Sequence, residues 1–186
     1  MPAPARTDRE QIVAAGGALL EEGGPEAVTM QAVAQRVGVR APSLYKHVRN
    51  RNELLAAAIA VTLETLTTRL AAAQIEGDPR SSIVAQMSEL RRFATERPHG
   101  YAAVFGGVSG VPPVSPEALE RCVRPTLAAM AALLGPERAL DGARLMTAWA
   151  TGFLAMERSG ALRMGGDIAG AWEWGLRHLA ATIGAD

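Results

Sequence analysis

The sequence predicts an all-α protein, and three observations carry that prediction. Apolar residues recur at three- and four-residue spacing along most of the chain, no alternating apolar and polar run is long enough for a strand, and glycine or proline separates the periodic stretches. No internal repeat competes with that reading. At 186 residues and 48% hydrophobic composition, the chain has material for one small domain and one medium one.

Taken in order, the first helix runs from about Thr7 to Glu22, with Ile12, Val13, Leu19 and Leu20 on its core face and Gly23-Gly24-Pro25 at its end. Gly16 and Gly17 lie inside it, each costing about 1 kcal/mol of helix propensity, so this helix is expected to be soft. Met30, Val33, Ala34 and Val37 mark a short second helix capped by Thr29. Gly38 stops it and lets Val39 tuck back behind the turn. Pro42, tolerated in a first helical turn, opens a third helix to His47 anchored by Leu44 and Val48. Asn50 and Glu53 form a capping-box-like pair at the start of a long fourth helix, which reaches about Ala73 and spans about 31 Å. Leu55, Ile59, Leu63, Leu66 and Leu70 follow one of its faces.

Gly77-Asp78-Pro79 breaks that helix, Ser81 or Ser82 restarts one to about Glu96, and Pro98 marks the next boundary. Residues 106–116, GGVSGVPPVSP, hold three glycines and three prolines and read as a loop. Helices follow from Pro116 to Leu134, Glu137 to Ser159 and Asp167 to Ile183, separated by Gly135-Pro136 and Gly165-Gly166. The count is eight or nine.

Two short helices about a tight turn make the stretch from Thr29 to Glu53 a helix-turn-helix. From Arg36 to Arg51 it carries Arg36, Arg40, Lys46, Arg49 and Arg51 with no acidic residue, in a chain of zero formal net charge whose single lysine is Lys46. Such a run is often only a solvated face. Within this motif it suits the mode in which the second helix enters the major groove of double-stranded DNA.

The stretch resembles the DNA-binding domain of TetR-type transcriptional regulators through Thr29, Val33, Ala34, Gly38, Val39, Leu44, Tyr45, His47, Val48, Arg51 and Leu54. That resemblance covers the first 55 to 60 residues. It implies a DNA-binding domain over 1–55 and a ligand-binding and dimerisation domain over 56–186. It also implies that Thr29, Tyr45, His47 and Arg51 clamp phosphates, while Arg40, Ala41, Pro42, Ser43 and Lys46 face base edges. Ala41 has no hydrogen-bonding group, so its only direct reading is apolar contact with a thymine methyl.

In the last two helices, Ala143, Met146, Trp149, Ala150, Phe153 and Leu154 form one apolar stripe, and Ile168, Trp172, Gly175, Leu176, Leu179 and Ile183 form another. Such stripes are usually intramolecular core. A single short reading helix makes few base contacts, however, and a symmetric pair reads two half-sites, so part of this surface is expected to form a homodimer. The segments AWATGFLAMERSGAL and AWEWGLRHL are similar to the C-terminal domain of the family's Trp-His-Gly subgroup, although the naming histidine is absent. A family-like pocket is expected from Met87, Leu90, Phe93, Tyr101, Phe105, Leu127, Met130, Trp149 and Phe153, residues that equally suit a packed core. Its apolar character fits a hydrophobic or aromatic effector, with Arg91, Arg92 and Glu157 near enough to orient a polar end.

Enzyme chemistry has no support. The three histidines, His47, His99 and His178, show no metal-ligand spacing, and there is no cysteine pair, phosphate loop or nucleophile elbow. No metal and no cofactor are expected. Cys122, the single cysteine, excludes an intrachain disulfide and reads as a small buried side chain. No signal peptide is visible in MPAPARTDRE, and no stretch approaches the ~18 apolar residues of a membrane span, so a cytoplasmic protein is expected. The reading is a one-component bacterial regulator, a repressor that leaves a pseudo-palindromic operator when a small ligand binds. Two alternatives stay open: a ligand-independent DNA-binding repressor, and a helical interaction protein that has lost DNA binding.

Overall fold

The structure, a computed structural model, describes residues 8–107 and 109–184. Thr7, where the first helix is expected to begin, lies outside them, as does Val108 in the expected loop. Among the described residues there are nine α-helices and no strand: α1 Arg9–Gly23, α2 Met30–Arg36, α3 Ala41–Leu44, α4 Arg51–Ala72, α5 Pro79–Glu96, α6 Pro98–Phe105, α7 Pro116–Leu134, α8 Ala139–Arg158 and α9 Ile168–Thr182. A 3-10 turn, Pro25–Ala27, stands where a plain loop is expected. So does α6, where the pattern shows only a proline boundary.

Two compact units divide the chain. The first comprises Met1–Thr65 with Glu96–Leu119, and the second Leu66–Thr95 with Glu120–Asp186. The first unit takes in α4 as far as Thr65, all of α6 and the start of α7.

In the first unit, the Asp8 carboxylate accepts from the Gln11 amide at 2.8 Å and opens α1, which then runs unbroken through Gly16 and Gly17. Its core gathers Ile12 and Leu20 of α1, Val33 of α2, Leu44 of α3, Val48, and Leu54, Leu55 and Ile59 of α4. At Gly16 α1 lies close against α4: a Cβ there would stand 3.2 Å from Leu54 Cδ1. Gly17 faces open space. The two adjacent glycines therefore differ. Gly16 permits a close helix approach and Gly17 only weakens the helix.

Helix α6 is fixed against α1 and α4 at its start. His99 Nδ1 donates to the Glu21 carbonyl at 2.9 Å, and a Cβ on Gly100 would collide with the Glu21 carboxylate and approach Thr62 Cγ2 to 2.9 Å. Only a glycine lets this turn of α6 sit so near two other helices.

The second unit buries Ile83, Met87, Leu90 and Phe93 of α5, Met130 of α7, Met146, Ala150 and Leu154 of α8, and Trp172, Leu176 and Ala180 of α9. Gly142 lets α8 close on α7, since a Cβ there would meet Met130 Sδ at 2.8 Å. Gly175 leaves room for the Trp149 ring, whose Cζ2 would lie 2.6 Å from a Cβ at that position.

One expectation is corrected. By length and composition α4, Arg51–Ala72, is apolar enough to cross a membrane, its best 18-residue window having a mean hydropathy of 1.4. The apolarity comes from a long helix that carries core residues along most of its length, including Leu54, Leu55, Ile59, Leu63, Leu66 and Leu70.

Gly17→Ala should raise stability by about 1 kcal/mol, from propensity alone. Gly16→Ala should gain less or lose, because its methyl presses on Leu54. Thermal melts followed by circular dichroism separate the two, and equal stabilisation by both would remove the packing role given to Gly16.

Candidate nucleic-acid interface

The helix-turn-helix is built by local bonds that the sequence supplies in order. Thr29 Oγ1 accepts from the Ala32 amide at 3.1 Å, capping α2. Thr29 is exposed, and its hydroxyl proton is left to point outward. At the other end Gly38 takes φ 73° and the Val39 amide donates to the Ala34 carbonyl at 2.9 Å, the six-residue closure of a Schellman turn. Val39 then packs on the core of the first unit.

Helix α3 begins at Ala41 with Pro42 in its first turn and lasts four residues, shorter than the stretch to His47 expected from sequence. The chain continues past Leu44 in tight turns, with His47 N donating to Leu44 O at 2.8 Å and Val48 N to Leu44 O at 3.0 Å. Leu44 and Val48 are sealed in the core, at 0% and 1% exposure. Arg40, Pro42, Ser43, Tyr45 and Lys46 are exposed, Tyr45 at 56%. Ala41 and His47 are half-buried, Ala41 against the core of the first unit.

A modified capping box opens α4. The Glu53 amide donates to Asn50 Oδ1 at 2.9 Å, as expected, but the Glu53 carboxylate reaches past Asn50 to accept from the Arg49 amide at 2.8 Å and Arg49 Nε at 3.0 Å. The backbone bond from Arg49, and after it the side-chain bond, hold the Glu53 carboxyl below its usual range.

The remaining cations are engaged differently from one another. Arg36 pairs with Glu22 of α1 at 2.8 Å. Arg51 Nε donates to the Val28 carbonyl at 2.8 Å and Nη2 to the Pro25 carbonyl at 2.6 Å, with Glu26 3.8 Å away. The guanidinium read from sequence as a phosphate clamp thus ties α4 to the segment between α1 and α2. The side chains of Arg40 and Lys46 make no hydrogen bond or ion pair among the described residues.

The residues expected to line a pocket are divided between the units. Tyr101 and Phe105 belong to the first, their rings 5.0 Å apart. The rest belong to the second, where Met87, Leu90, Phe93 and Met130 are buried and Leu127, Trp149 and Phe153 half-buried. Trp149 stacks on Trp172 at 4.8 Å and Phe153 meets the same ring edge-on at 5.3 Å. Arg91 lies over Trp172, 5.3 Å from its centroid, and pairs with Glu157 at 2.6 Å, while Arg92 pairs with Glu89. Sequence reasoning missed Gln86: it is fully buried on α5, donates to Gln74 Oε1 at 3.1 Å, and keeps its own oxygen without a donor among the described residues. Its polar type and its place between apolar neighbours gave no periodic signal. Cys122 is buried.

A helix-turn-helix with exposed cations about its second helix, joined in one chain to a separate helical unit, defines a DNA-binding protein of the transcription-regulator class. Residues 12–58 match the family model of bacterial regulatory proteins, tetR family, and residues 83–179 match the model described as tetracyclin repressor-like, C-terminal domain. The chain belongs to the TetR family and is a DNA-binding transcriptional regulator, not an enzyme. It is 26% identical over 164 residues to the uncharacterized HTH-type transcriptional regulator Rv0681 of Mycobacterium tuberculosis, covering 86% of this chain and 74% of that one. Over 51 residues it is 42% identical to tetracycline repressor protein class D of Escherichia coli, which is 27% of this chain and 23% of the repressor. Its fold is similar to that of a TetR variant from Acinetobacter baumannii AYE in complex with minocycline, with a TM-score of 0.66 and 23% identity over 95% of this chain and 96% of that one.

Arg51→Ala should destabilise the first unit by about 2 kcal/mol or more, because two carbonyls lose charged donors. Denaturant unfolding checks this, and an unchanged midpoint would return Arg51 to the DNA surface. The lowered Glu53 carboxyl carries a sign as well. Its contribution is full above the ordinary carboxylate range and is lost as pH falls through the lowered value. Glu53→Gln should therefore lose stability near neutrality and show a shallower fall in acid than the wild type; parallel melting curves from pH 7 to 3 would contradict the latch.

Proposed function

We propose that this regulator is a one-component repressor that binds a pseudo-palindromic operator as a homodimer and leaves it when a small hydrophobic or aromatic molecule binds the second unit. The observation that carries the dimer is Trp174, 60% exposed on α9 in a row with Ala171 and Ala181. His178 stacks on it at 4.0 Å and bonds its carbonyl. On α8, Leu145, Ala148, Gly152 and Met156 make a second exposed row at helical spacing. Rows of large and small apolar residues on two helices are the material of a self-complementary contact, and a two-fold pair supplies the second reading head that one short helix needs.

For DNA, Thr29, Tyr45 and His47 contact phosphates and Arg40, Pro42, Ser43 and Lys46 face the base edges. Ala41, half-buried, lies at the margin of that surface. The operator is double-stranded, with half-sites that place the heads about 34 to 36 Å apart or at a multiple of that spacing.

For the effector, Met87, Leu90, Phe93 and Met130 supply apolar walls and the unpaired Gln86 oxygen an acceptor for one polar donor. An apolar groove of about 390 Å³ between α7 and α8, lined by Leu127, Ala143 and Thr147 among others, is of the size that takes a small molecule. The minocycline complex of the Acinetobacter protein supports a ligand in a chain of this fold. The ligand acts by binding better to the state whose heads do not match the grooves, so its differential affinity sets how far it can shift the equilibrium.

Two outcomes are expected. Leu145→Glu with Trp174→Glu should convert the dimer to monomer in sedimentation and weaken operator binding with it; a dimer that persists places the interface elsewhere. Tyr45→Ala should weaken operator binding at least about tenfold with the dimer mass unchanged, and loss of the dimer in that variant would make Tyr45 a structural residue. A screen of apolar compounds for release of bound operator, with none active, favours the ligand-independent repressor.

A further inference from the structure

The five cations between Arg36 and Arg51 divide by employment. Arg36, Arg49 and Arg51 are held by protein acceptors, while Arg40 and Lys46 have none among the described residues. The two unengaged cations flank α3, Arg40 at its N-cap and Lys46 just beyond its end. Around the α-helical turn Ala41–Leu44, Ser43 N donates to Arg40 O at 2.8 Å, Lys46 N to Ser43 O at 3.4 Å and His47 N to Leu44 O at 2.8 Å. Bonds of that type bring residues three apart towards one face. Burial repeats with the same period. Leu44 is buried and Ala41 and His47 half-buried, Arg40, Ser43 and Lys46 are exposed, and Pro42 and Tyr45 make a second exposed row.

We infer that Arg40, Ser43 and Lys46 form the base-reading row, and that each half-site presents one guanine to Arg40 and a second to Lys46. This rests on α3 being the element that enters the groove. Both side chains can only donate, and in the major groove guanine offers two adjacent acceptors, N7 and O6. Adenine puts an amino donor beside its acceptor, so a cation meets it poorly. No Asn, Gln, Asp or Glu occurs between Arg36 and Arg49, which leaves the row without a side chain suited to bidentate adenine reading. Ser43, between the cations, donates or accepts and discriminates little. At about 1.5 to 2 Å of rise per residue the row spans about 9 to 12 Å from Arg40 to Lys46, against about 3.4 Å per base-pair step. The two guanines therefore fall about three steps apart, on the same or opposite strands.

The test is enrichment of bound duplexes from a random pool by the full chain and three variants. The wild type should return half-sites with two G·C pairs at that separation. Arg40→Gln should change one of them to A·T and leave the other, because glutamine pairs with adenine N6 and N7. Lys46→Ala should lose the other preference, by about tenfold or more. Arg36→Ala, whose cation is spent on Glu22, should enrich the wild-type sequence. Half-sites without the two guanines, or an Arg40→Gln variant that enriches the wild-type sequence, overturn the inference. A wild-type chain that retains DNA but selects no sequence overturns it alone; one that retains no DNA overturns the groove-entering role of α3 as well.

Discussion

A helix of four residues cannot hold itself in water, and everything that places α3 lies outside it. Its position is imposed by Leu44 and Val48, both shut inside the first unit, and by the Gly38 turn that brings Val39 back to the same core. Burial on that face forces the opposite rows outward. The Arg51 guanidinium completes the frame by fastening the start of α4 to the carbonyls of Pro25 and Val28, so the segment that follows α3 and the segment that precedes α2 are held together. The exposed chemistry of the motif is thus a by-product of where its apolar residues must go.

Charge follows the same logic. A basic run in sequence is uniform, whereas in the fold three of its five cations serve the protein itself and two are available. Glu22, Glu53 and the two carbonyls do that sorting by geometry, each accepting a charge-assisted hydrogen bond from a guanidinium. Such pairs at the surface contribute modestly to stability, and Arg49, 88% exposed, keeps further donors for a polyanion.

Much of this was legible beforehand because it is local. Thr29, Gly38, Pro42, Asn50 and Glu53 act within a turn or two of their own positions, so spacing alone located α2, α3 and the start of α4. The early end of α3 and the 3-10 turn at Pro25–Ala27 aside, what was missed is non-local. The α6 helix is short and begins at a proline, and what makes it a helix in place is the fit of His99 and Gly100 against Glu21 and Thr62 from far along the chain. The sequence records the charge of Arg51 but not that two of its donors turn to the Val28 and Pro25 carbonyls. Gly16 and Gly17 looked alike until Leu54 was found beside only one of them. In the second unit, the apolar residues proposed for a pocket were identifiable as buried, but their division between two units, and the pairing of Arg91 with Glu157 over the Trp172 ring, depend on packing that no period encodes.

Sequence-selective DNA binding by a pair of these motifs is the property on which the proposed regulation depends. The most direct measurement is equilibrium binding to DNA from the region upstream of the protein's own coding sequence, beside unrelated DNA of equal length, over a range of salt concentrations. Preferential binding at two protomers per duplex, with affinity falling steeply and linearly on a logarithmic salt scale, is the predicted result. Failure to prefer that DNA, together with failure to enrich any sequence from a random pool, would contradict it and leave a helical protein whose surface serves another partner.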